Sequence, residues 1–213
     1  MIGDRPPPLH ATARGAVQDD VLGGELRAVL RMNALPAGHT AVVLGTSRRR
    51  GNTRLVVDKL LSGNSVEIVE LSQRLITPFD YTHRNAGDDF LPLIESLASK
   101  QLWILATPIY WHSMSAQLKT FVDRLGDLFT IRQDLGERLR GKSLAVVATG
   151  TSPALPPGFE SGFRHTAAYL GMRYAGAFYW RFREDDRPFP HLAAAARKAG
   201  AAWIGGRPPS RGD

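Results

Sequence analysis

Three short segments of the chain consist almost entirely of apolar and β-branched residues, and they constrain the fold more than any other feature. They read TAVVLG at 40–45, LWILA at 102–106 and SLAVVAT at 143–149. A strand without polar alternation is buried on both faces, which is typical of a parallel sheet covered by helices. Each run is far shorter than the roughly 20 apolar residues that a membrane-spanning helix needs. The sequence therefore predicts an α/β domain and no membrane partner.

Two further strands and five helices are predicted around these runs. Segment 66–71 alternates apolar and acidic residues, as a half-exposed strand or an edge strand does, and 174–182 is rich in bulky aromatic residues. Apolar residues recur at helical spacing between the strands, over 53–61, 88–99, 115–129, 159–170 and 191–204. Strands that alternate with helices build a parallel sheet with helices on both faces. We therefore expect a three-layer α/β sandwich around one five-stranded parallel sheet.

The two ends of the chain differ from this pattern. Residues 1–38 contain three consecutive prolines and several glycines, and only 25–33 show a helical apolar face. We expect an N-terminal arm over 1–38, one domain over 39–205 and a disordered tail over 206–213. The first ten residues lack the apolar stretch of a signal peptide, which favours a cytoplasmic location.

The composition excludes several kinds of site. The 213 residues include no cysteine, which rules out disulfides, zinc–thiolate and iron–sulfur sites and a thiol nucleophile. The six histidines have no metal-ligand spacing, and Asp123 and Asp127 are predicted to be solvated on the polar side of helix 115–129. No metal site is therefore expected. The net charge of +7 favours an anionic partner, although the only dense basic cluster is Arg48, Arg49 and Arg50 with Arg54.

Parallel sheets bind ligands beyond the carboxyl ends of their strands, so the loops there are the candidate sites. The first loop, GTSRRRGNT at 45–53, leads from a strand into a helix. It offers backbone N–H groups, hydroxyls and a guanidinium to an anion. Its spacing fits neither a Walker loop nor a dinucleotide fingerprint, which leaves a phosphomonoester held without magnesium. An ordinary turn capped by Asn52 or Thr53 is the alternative.

Two more loops lie at the same edge of the predicted sheet. The second loop, TPIYWHSMS at 107–115, carries large planar side chains that suit a flat aromatic ring, and Ser115 is expected to cap the next helix. The alternative is that Tyr110 and Trp111 pack under neighbouring loops. The third loop, at 149–158, starts with Gly150 directly after a strand, where glycine allows the backbone to approach a ligand closely. An ordinary strand-to-helix turn is the alternative for this loop.

Three motifs together resemble a known family. GTSRRRGNT, TPIYWHSMSAQLKTFVDR and ATGTS are similar, in order and spacing, to the NADPH-dependent FMN reductases, and the resemblance covers about residues 40–204. It implies a flavodoxin-like fold, bound FMN, NADPH or NADH as co-substrate, and a small-molecule acceptor such as a quinone or flavin. It also implies a homodimer or homotetramer. No nucleic-acid partner is expected, because the chain has no recognised nucleic-acid motif.

The resemblance further implies which residues contact FMN. The first loop would wrap the phosphate, the second would lie along the isoalloxazine and the third would approach the edge of the ring. The residues are Thr46, Ser47, Arg48, Asn52 and Thr53; Pro108, Ile109, Tyr110 and Trp111; and Thr149 and Gly150. No catalytic side chain is implied, because hydride transfer through a flavin is the chemistry of the cofactor. Arg49 and Arg50 are candidates for the phosphates of NADPH.

Three other functions stay open from the sequence. They are a flavodoxin-type FMN electron carrier, a nucleic-acid-binding protein that uses the arginine cluster, and a regulatory flavin-binding protein without turnover. Carrier flavodoxins are usually strongly acidic, so the positive charge argues against the first. Aromatic loops beside arginines can stack bases, but the chain has no recognised nucleic-acid motif.

Overall fold

One parallel sheet forms the centre of the computed structural model, which describes residues 38–61 and 66–182. Its strand order is β2-β1-β3-β4-β5. The strands are β1 (Thr40–Leu44), β2 (Glu67–Glu70), β3 (Leu102–Pro108), β4 (Ser143–Gly150) and β5 (Arg173–Arg181). After β1 the chain forms β2 on one side of β1 and then β3 on the other side. The topological switch point therefore lies between β1 and β3. The five-stranded parallel sheet is confirmed, with β2 at its edge as predicted.

Helices cover both faces of the sheet and bury two apolar clusters. The helices are α1 (Asn52–Leu60), α2 (Phe90–Leu97), α3 (Ala116–Arg124), α4 (Asp127–Thr130), α5 (Gln133–Glu137) and α6 (Phe159–Tyr169). On one face Leu105 of β3 belongs to the same cluster as Phe121 of α3 and Phe163 of α6. On the other face Ile104 shares a cluster with Val56 of α1. Side chains that alternate along buried strands therefore fill both cores, and the predicted three-layer sandwich is confirmed.

Several predicted segments lie outside the described residues. They are helix 191–204, the tail over 206–213 and the helical face at 25–33, together with nearly all of the arm over 1–38. Within 38–61 and 66–182, no helix has both the length and the apolar character needed to cross a membrane.

The predicted single helix over 115–129 is wrong, because the chain forms two helices with a break at Gly126. The N–H groups of Leu125, Gly126 and Leu128 each donate to a carbonyl three residues earlier, which tightens the backbone. A β-carbon at Gly126 would lie 3.0 Å from Phe79 Cε2. The absence of a side chain therefore lets the loop at 74–89 pack directly against the break.

The break turns Arg124 and Asp127 into the protein interior, so the prediction of a solvated Asp127 is wrong. Both side chains are buried. Arg124 Nε donates to Asp127 Oδ2 at 2.9 Å, and Nη1 donates to Thr77 O at 3.1 Å and to Asp88. The guanidinium also lies 4.7 Å from the centroid of the Phe90 ring. Helical periodicity places Asp127 on a polar face, but it cannot reveal a distant carboxylate that makes an inward arginine favourable.

Asp88 is the second carboxylate of this cluster. Burial raises its pKa, but hydrogen bonds from Arg124 and from the Thr77 and Phe90 N–H groups outweigh burial and lower the pKa below its ordinary value. Because the folded-state pKa is depressed, the charged form stabilises the fold at neutral pH, and this contribution is lost as the pH falls through that pKa. Asp89 accepts from Leu75 N–H at 2.7 Å. The two aspartates hold the loop at 74–89, and α2 begins after them instead of at the predicted residue 88.

We expect Arg124→Met to lower the free energy of unfolding by about 3–5 kcal/mol, because it leaves two buried carboxylates without their cation. Urea unfolding followed by circular dichroism measures this change. Arg132→Met is the matched control, since Arg132 pairs with Glu95 and Asp134 on the exposed surface and such pairs contribute little. Equal losses in the two variants, or an unchanged Arg124→Met, would contradict the prediction.

Candidate functional site

The three candidate loops lie together at the carboxyl ends of β1, β3 and β4, and hydrogen bonds join them directly. Thr53 Oγ1 in the first loop lies 2.7 Å from Thr149 Oγ1 in the third, and both hydroxyls are buried. Ser115 Oγ in the second loop donates to Gly45 O in the first at 2.6 Å. Ile109 N–H donates to Thr149 O at 2.7 Å. Residues that are far apart in the sequence are thus brought together at one site, as the candidate loops require.

The first loop presents unpaired donors at the start of α1. The helix N-cap is Gly51, which has no capping side chain, so the alternative of a cap at Asn52 or Thr53 is wrong. Among the described residues, the N–H groups of Asn52, Thr53 and Arg54 have no hydrogen-bond acceptor. Free N–H groups and the helix dipole together favour an anion at this position.

Four of the remaining side chains of this loop are exposed or support it. Thr46 is buried, and its hydroxyl accepts the Arg48 N–H at 3.3 Å, which folds the loop back on itself. Ser47, Arg48 and Asn52 are exposed. Their polar groups are therefore available to a ligand at the start of α1.

Close packing between the end of β1 and the start of α3 holds the first two loops against each other at the base of the site. A β-carbon at Gly45 would lie 2.5 Å from Leu118 Cβ, so only glycine permits this approach. Ser115 accepts the Leu118 N–H at 3.2 Å, which confirms the predicted cap of α3. The Ser115 N–H donates to Thr107 Oγ1 at 2.9 Å. Thr107 is a support that the sequence does not single out, because its role depends on a partner eight residues away.

The second loop connects β3 to α3 and exposes its aromatic residues. Pro108 and Ile109 are half-buried, whereas 48% of Tyr110 and 97% of Trp111 are exposed. The alternative in which both aromatic residues pack under neighbouring loops is therefore wrong for Trp111. The aromatic edge of the loop is accessible to a ligand.

The third loop is supported by β5. A β-carbon at Gly150 would lie 3.1 Å from the Tyr179 hydroxyl, so the ring closely approaches the backbone here. Tyr179 donates to Ser152 O at 2.8 Å. Burial raises the pKa of Tyr179, although Arg181 acts in the opposite direction, so the phenol stays a donor. The sequence indicates Gly150 but not Tyr179, which lies on a different strand.

Two of the four arginines of the basic cluster form ion pairs with carboxylates. Arg49 Nε lies 3.4 Å from Glu70 Oε2, and Arg54 pairs with the same carboxylate and with Asp58. Within the described part of the chain, Arg50 has no ion pair. Glu70 is the last residue of β2. The sequence does not indicate its role, because spacing along the chain does not show that this strand lies beside α1.

Residues 38–61 and 66–182 contain no group of three or more histidine, aspartate or glutamate side chains that could hold a metal ion. The donors at α1 fit a terminal phosphate, and the exposed second loop beside Gly150 fits a planar ring. Both halves of a flavin mononucleotide therefore find suitable residues at this edge.

Comparison with known proteins agrees with this geometry. The family model of the NADPH-dependent FMN reductases matches residues 39–186. The Bacillus subtilis protein YwqN, named as an NAD(P)H-dependent FMN-containing oxidoreductase, is 32% identical over 160 residues, which cover 70% of this chain and 86% of YwqN. The solved structure of the Trp repressor binding protein from Bacillus subtilis is 28% identical, with a TM-score of 0.60, over 74% of this chain and 98% of that one.

A more distant structure shares the fold alone. The FMN-dependent NADH-azoreductase from Bacillus anthracis has a TM-score of 0.56 at 10% identity, over 77% of this chain and 97% of that one. The family match covers most of the chain, and the strand order is that of flavodoxin-like proteins. The chain therefore belongs to the NADPH-dependent FMN reductase family, whose members are FMN-dependent NAD(P)H oxidoreductases.

Proposed function

We propose that this chain holds FMN between the three loops and passes electrons from NAD(P)H to a small-molecule acceptor such as a quinone or a flavin. One observation carries the proposal. The Thr53–Thr149 hydrogen bond fixes the start of α1, with its free N–H groups, against the end of β4 and beside the exposed second loop. A phosphate site and a ring site are thereby held in one rigid unit.

The phosphate of FMN is assigned to the first loop. The ligands are the free N–H groups of Asn52 and Thr53, the exposed Ser47 hydroxyl and the Arg48 guanidinium, with Thr46 as the buried support. A guanidinium provides two parallel donors to a phosphate. A loop that encloses a terminal phosphate leaves no path for an adenylate, so the cofactor is FMN and not FAD.

The ring of FMN is assigned to the second and third loops. Pro108, Ile109 and Tyr110 would flank it on one side, Thr149 and Gly150 would approach its edge, and Trp111 lies at the rim. Bound FMN supplies the hydride chemistry. The protein binds and orients the ring and offers backbone N–H groups to its developing negative charge, so no side chain is required as an acid or a base.

The electron donor is assigned to the basic side of the first loop. Arg50 is a better candidate than Arg49 for a phosphate of NADPH, because Arg49 is already paired with Glu70. A positive surface also attracts a polyanionic dinucleotide over distance. A cytoplasmic location stays a prediction.

Two observations weigh against the other functions. The net charge of +7 is unlike that of carrier flavodoxins, which favours turnover with a dinucleotide. Arg49 and Arg54 are neutralised by Glu70 and Asp58, which leaves fewer free cations for a nucleic-acid backbone. The electron carrier is the second candidate, because it needs the same FMN site.

We expect Arg48→Ala to weaken FMN binding by about 1.5–3 kcal/mol, which is the contribution of a hydrogen bond to a charged group. Quenching of FMN fluorescence on titration with protein measures the affinity. Arg138→Ala is the control, since Arg138 is also exposed but precedes β4, at the opposite edge of the sheet. Wild-type protein that neither retains FMN nor quenches its fluorescence would contradict the proposed FMN site.

Anaerobic stopped-flow mixing with NADPH and with NADH tests turnover. We expect bleaching of bound FMN by at least one dinucleotide, faster than the reaction of free FMN, because the loops hold the ring in a fixed position. Reduction by a reduced protein partner but by neither dinucleotide would replace the enzyme with the electron carrier. A protein that binds FMN and is reduced by none of these reagents would support the regulatory function.

We propose that the chain forms a homodimer or homotetramer, as the family resemblance implies. The sequence spacing of Leu26, Val29 and Leu30, which lie outside the described residues, predicts an apolar helical face that would suit such contacts. Light scattering of the 213-residue chain at micromolar concentration is expected to give about two or four times 23.3 kDa. A monomer both for this chain and for a variant that lacks residues 1–38 would contradict this expectation.

A further inference from the structure

The amino ends of four strands lie level at the edge of the sheet opposite the three loops. The first residues of β1, β3, β4 and β5 are in register with one another, and they are Thr40, Leu102, Ser143 and Arg173. The described residues begin at Gly38, just before β1. Residues 1–37 are therefore attached to the domain at this amino edge, on the side opposite the proposed FMN site.

Exposed apolar side chains form a patch at the amino edge. Phe129 in α4 is 39% exposed and Tyr169 at the end of α6 is 75% exposed, and their ring centroids are 4.6 Å apart. Ile131, which follows α4, is also 39% exposed. Gly141 N–H donates to Gly171 O at 2.8 Å, which holds the end of α6 beside the start of β4. Grouped apolar side chains on a surface indicate a contact with another segment or molecule.

A basic triad of Arg138, Lys142 and Arg173 lies at the same edge. Lys142 is only 7% exposed, and its carbonyl accepts the Arg173 N–H at 2.7 Å, so these two residues lie side by side. Burial lowers the pKa of Lys142, and the charge of Arg138 lowers it further, which places Arg138 near the ammonium group. None of the three cations forms an ion pair with a described residue. The amino edge therefore carries positive charge that no described carboxylate compensates.

One part of the N-terminal arm has the matching pattern, although it lies outside the described residues. At helical spacing, Leu26, Val29 and Leu30 form one apolar stripe. The acidic residues at or before the start of this stripe are Asp19, Asp20 and Glu25. An apolar stripe preceded by acids is complementary to an apolar patch beside a basic triad.

We propose that segment 19–30 docks on the amino edge of its own chain, with its apolar stripe on the patch and its acids against the basic triad. Leu30 is eight residues from Gly38, and eight extended residues span about 26 Å. The edge from β1 to β5 crosses three strand spacings, or about 14 Å. The segment therefore reaches the patch within one chain.

Position and charge favour this segment over the C-terminal residues. The chain leaves β5 at the carboxyl edge, where Phe182 N–H donates to Gly150 O at 2.8 Å. The helix predicted over 191–204 carries Arg197 and Lys198 and no acid, so it does not complement a basic triad. The subunit contact suggested above is a competing use of the apolar stripe, and the experiment below separates the two.

Hydrogen exchange followed by mass spectrometry tests the docking in the full chain. We expect the amides of 25–33 to exchange about tenfold more slowly in the full chain than in a synthetic peptide of residues 19–37. Tyr169→Ser and Arg138→Glu should each speed this exchange by about threefold or more, because one removes an apolar contact and the other reverses a charge. Tyr81→Ser is the matched control, since Tyr81 is 89% exposed on the loop before α2 and its loss should leave the exchange unchanged.

A charge exchange tests the contact between the acids and the basic triad. Glu25→Arg should also speed the exchange of 25–33 by about threefold. Glu25→Arg combined with Arg138→Glu should exchange more slowly than either single variant, because the opposite charges are restored with their signs reversed. A double variant that exchanges faster than both single variants would overturn this contact.

Other results would overturn the docking itself. Exchange of 25–33 that is as fast in the full chain as in the peptide would show that the segment does not dock. Protection lost from 191–204 instead of 25–33 in Tyr169→Ser would assign the patch to the C-terminal residues. A lower mass of Tyr169→Ser in light scattering would assign it to a second copy of the chain. The FMN affinity should stay the same in all these variants, so the proposed FMN function stands or fails separately.

Discussion

The hydrogen bond between the Thr53 and Thr149 hydroxyls joins two segments that are 96 residues apart in the chain. It connects the start of α1 to the end of β4, across the carboxyl end of β3. Both hydroxyls are buried, so loss of one partner would leave the other without an acceptor or donor in a region that water does not reach. The position of the free N–H groups of α1 relative to the second and third loops depends on this contact. The first loop and the third loop each provide one of the two hydroxyls, so neither loop alone fixes the distance between α1 and β4.

On the opposite face of the sheet, the start of α3 also helps to hold the three loops in position. Ser115 joins three segments at once. Its hydroxyl accepts the Leu118 N–H and donates to Gly45 O, and its own N–H donates to the Thr107 hydroxyl. The side chain is small enough to sit where α3 meets the bare backbone of Gly45. Two hydroxyl residues on opposite sides of the sheet, Thr53 and Ser115, therefore determine how the three loops face one another.

Most of the fold was predictable because it follows from local patterns. The three unbroken apolar runs identify β1, β3 and β4, and helical spacing identifies the helices that cover them. The same patterns fail where a distant residue decides the outcome. Arg124 and Asp127 point inward only because Asp88 lies opposite them, and Glu70 reaches Arg49 only because β2 pairs beside β1. At the site, the sequence indicates Thr53 and Thr149 separately, but their contact and the support by Tyr179 depend on the three-dimensional fold.

The buried cluster of Arg124, Asp88 and Asp127 has a consequence for access to the site. The loop at 74–89 follows the carboxyl end of β2, and many enzymes carry on this side of the sheet a lid that opens and closes. Lifting this loop would expose or separate charges that now compensate each other inside the protein, which is costly. This segment is therefore expected to stay in place as a fixed part of the domain rather than to open and close.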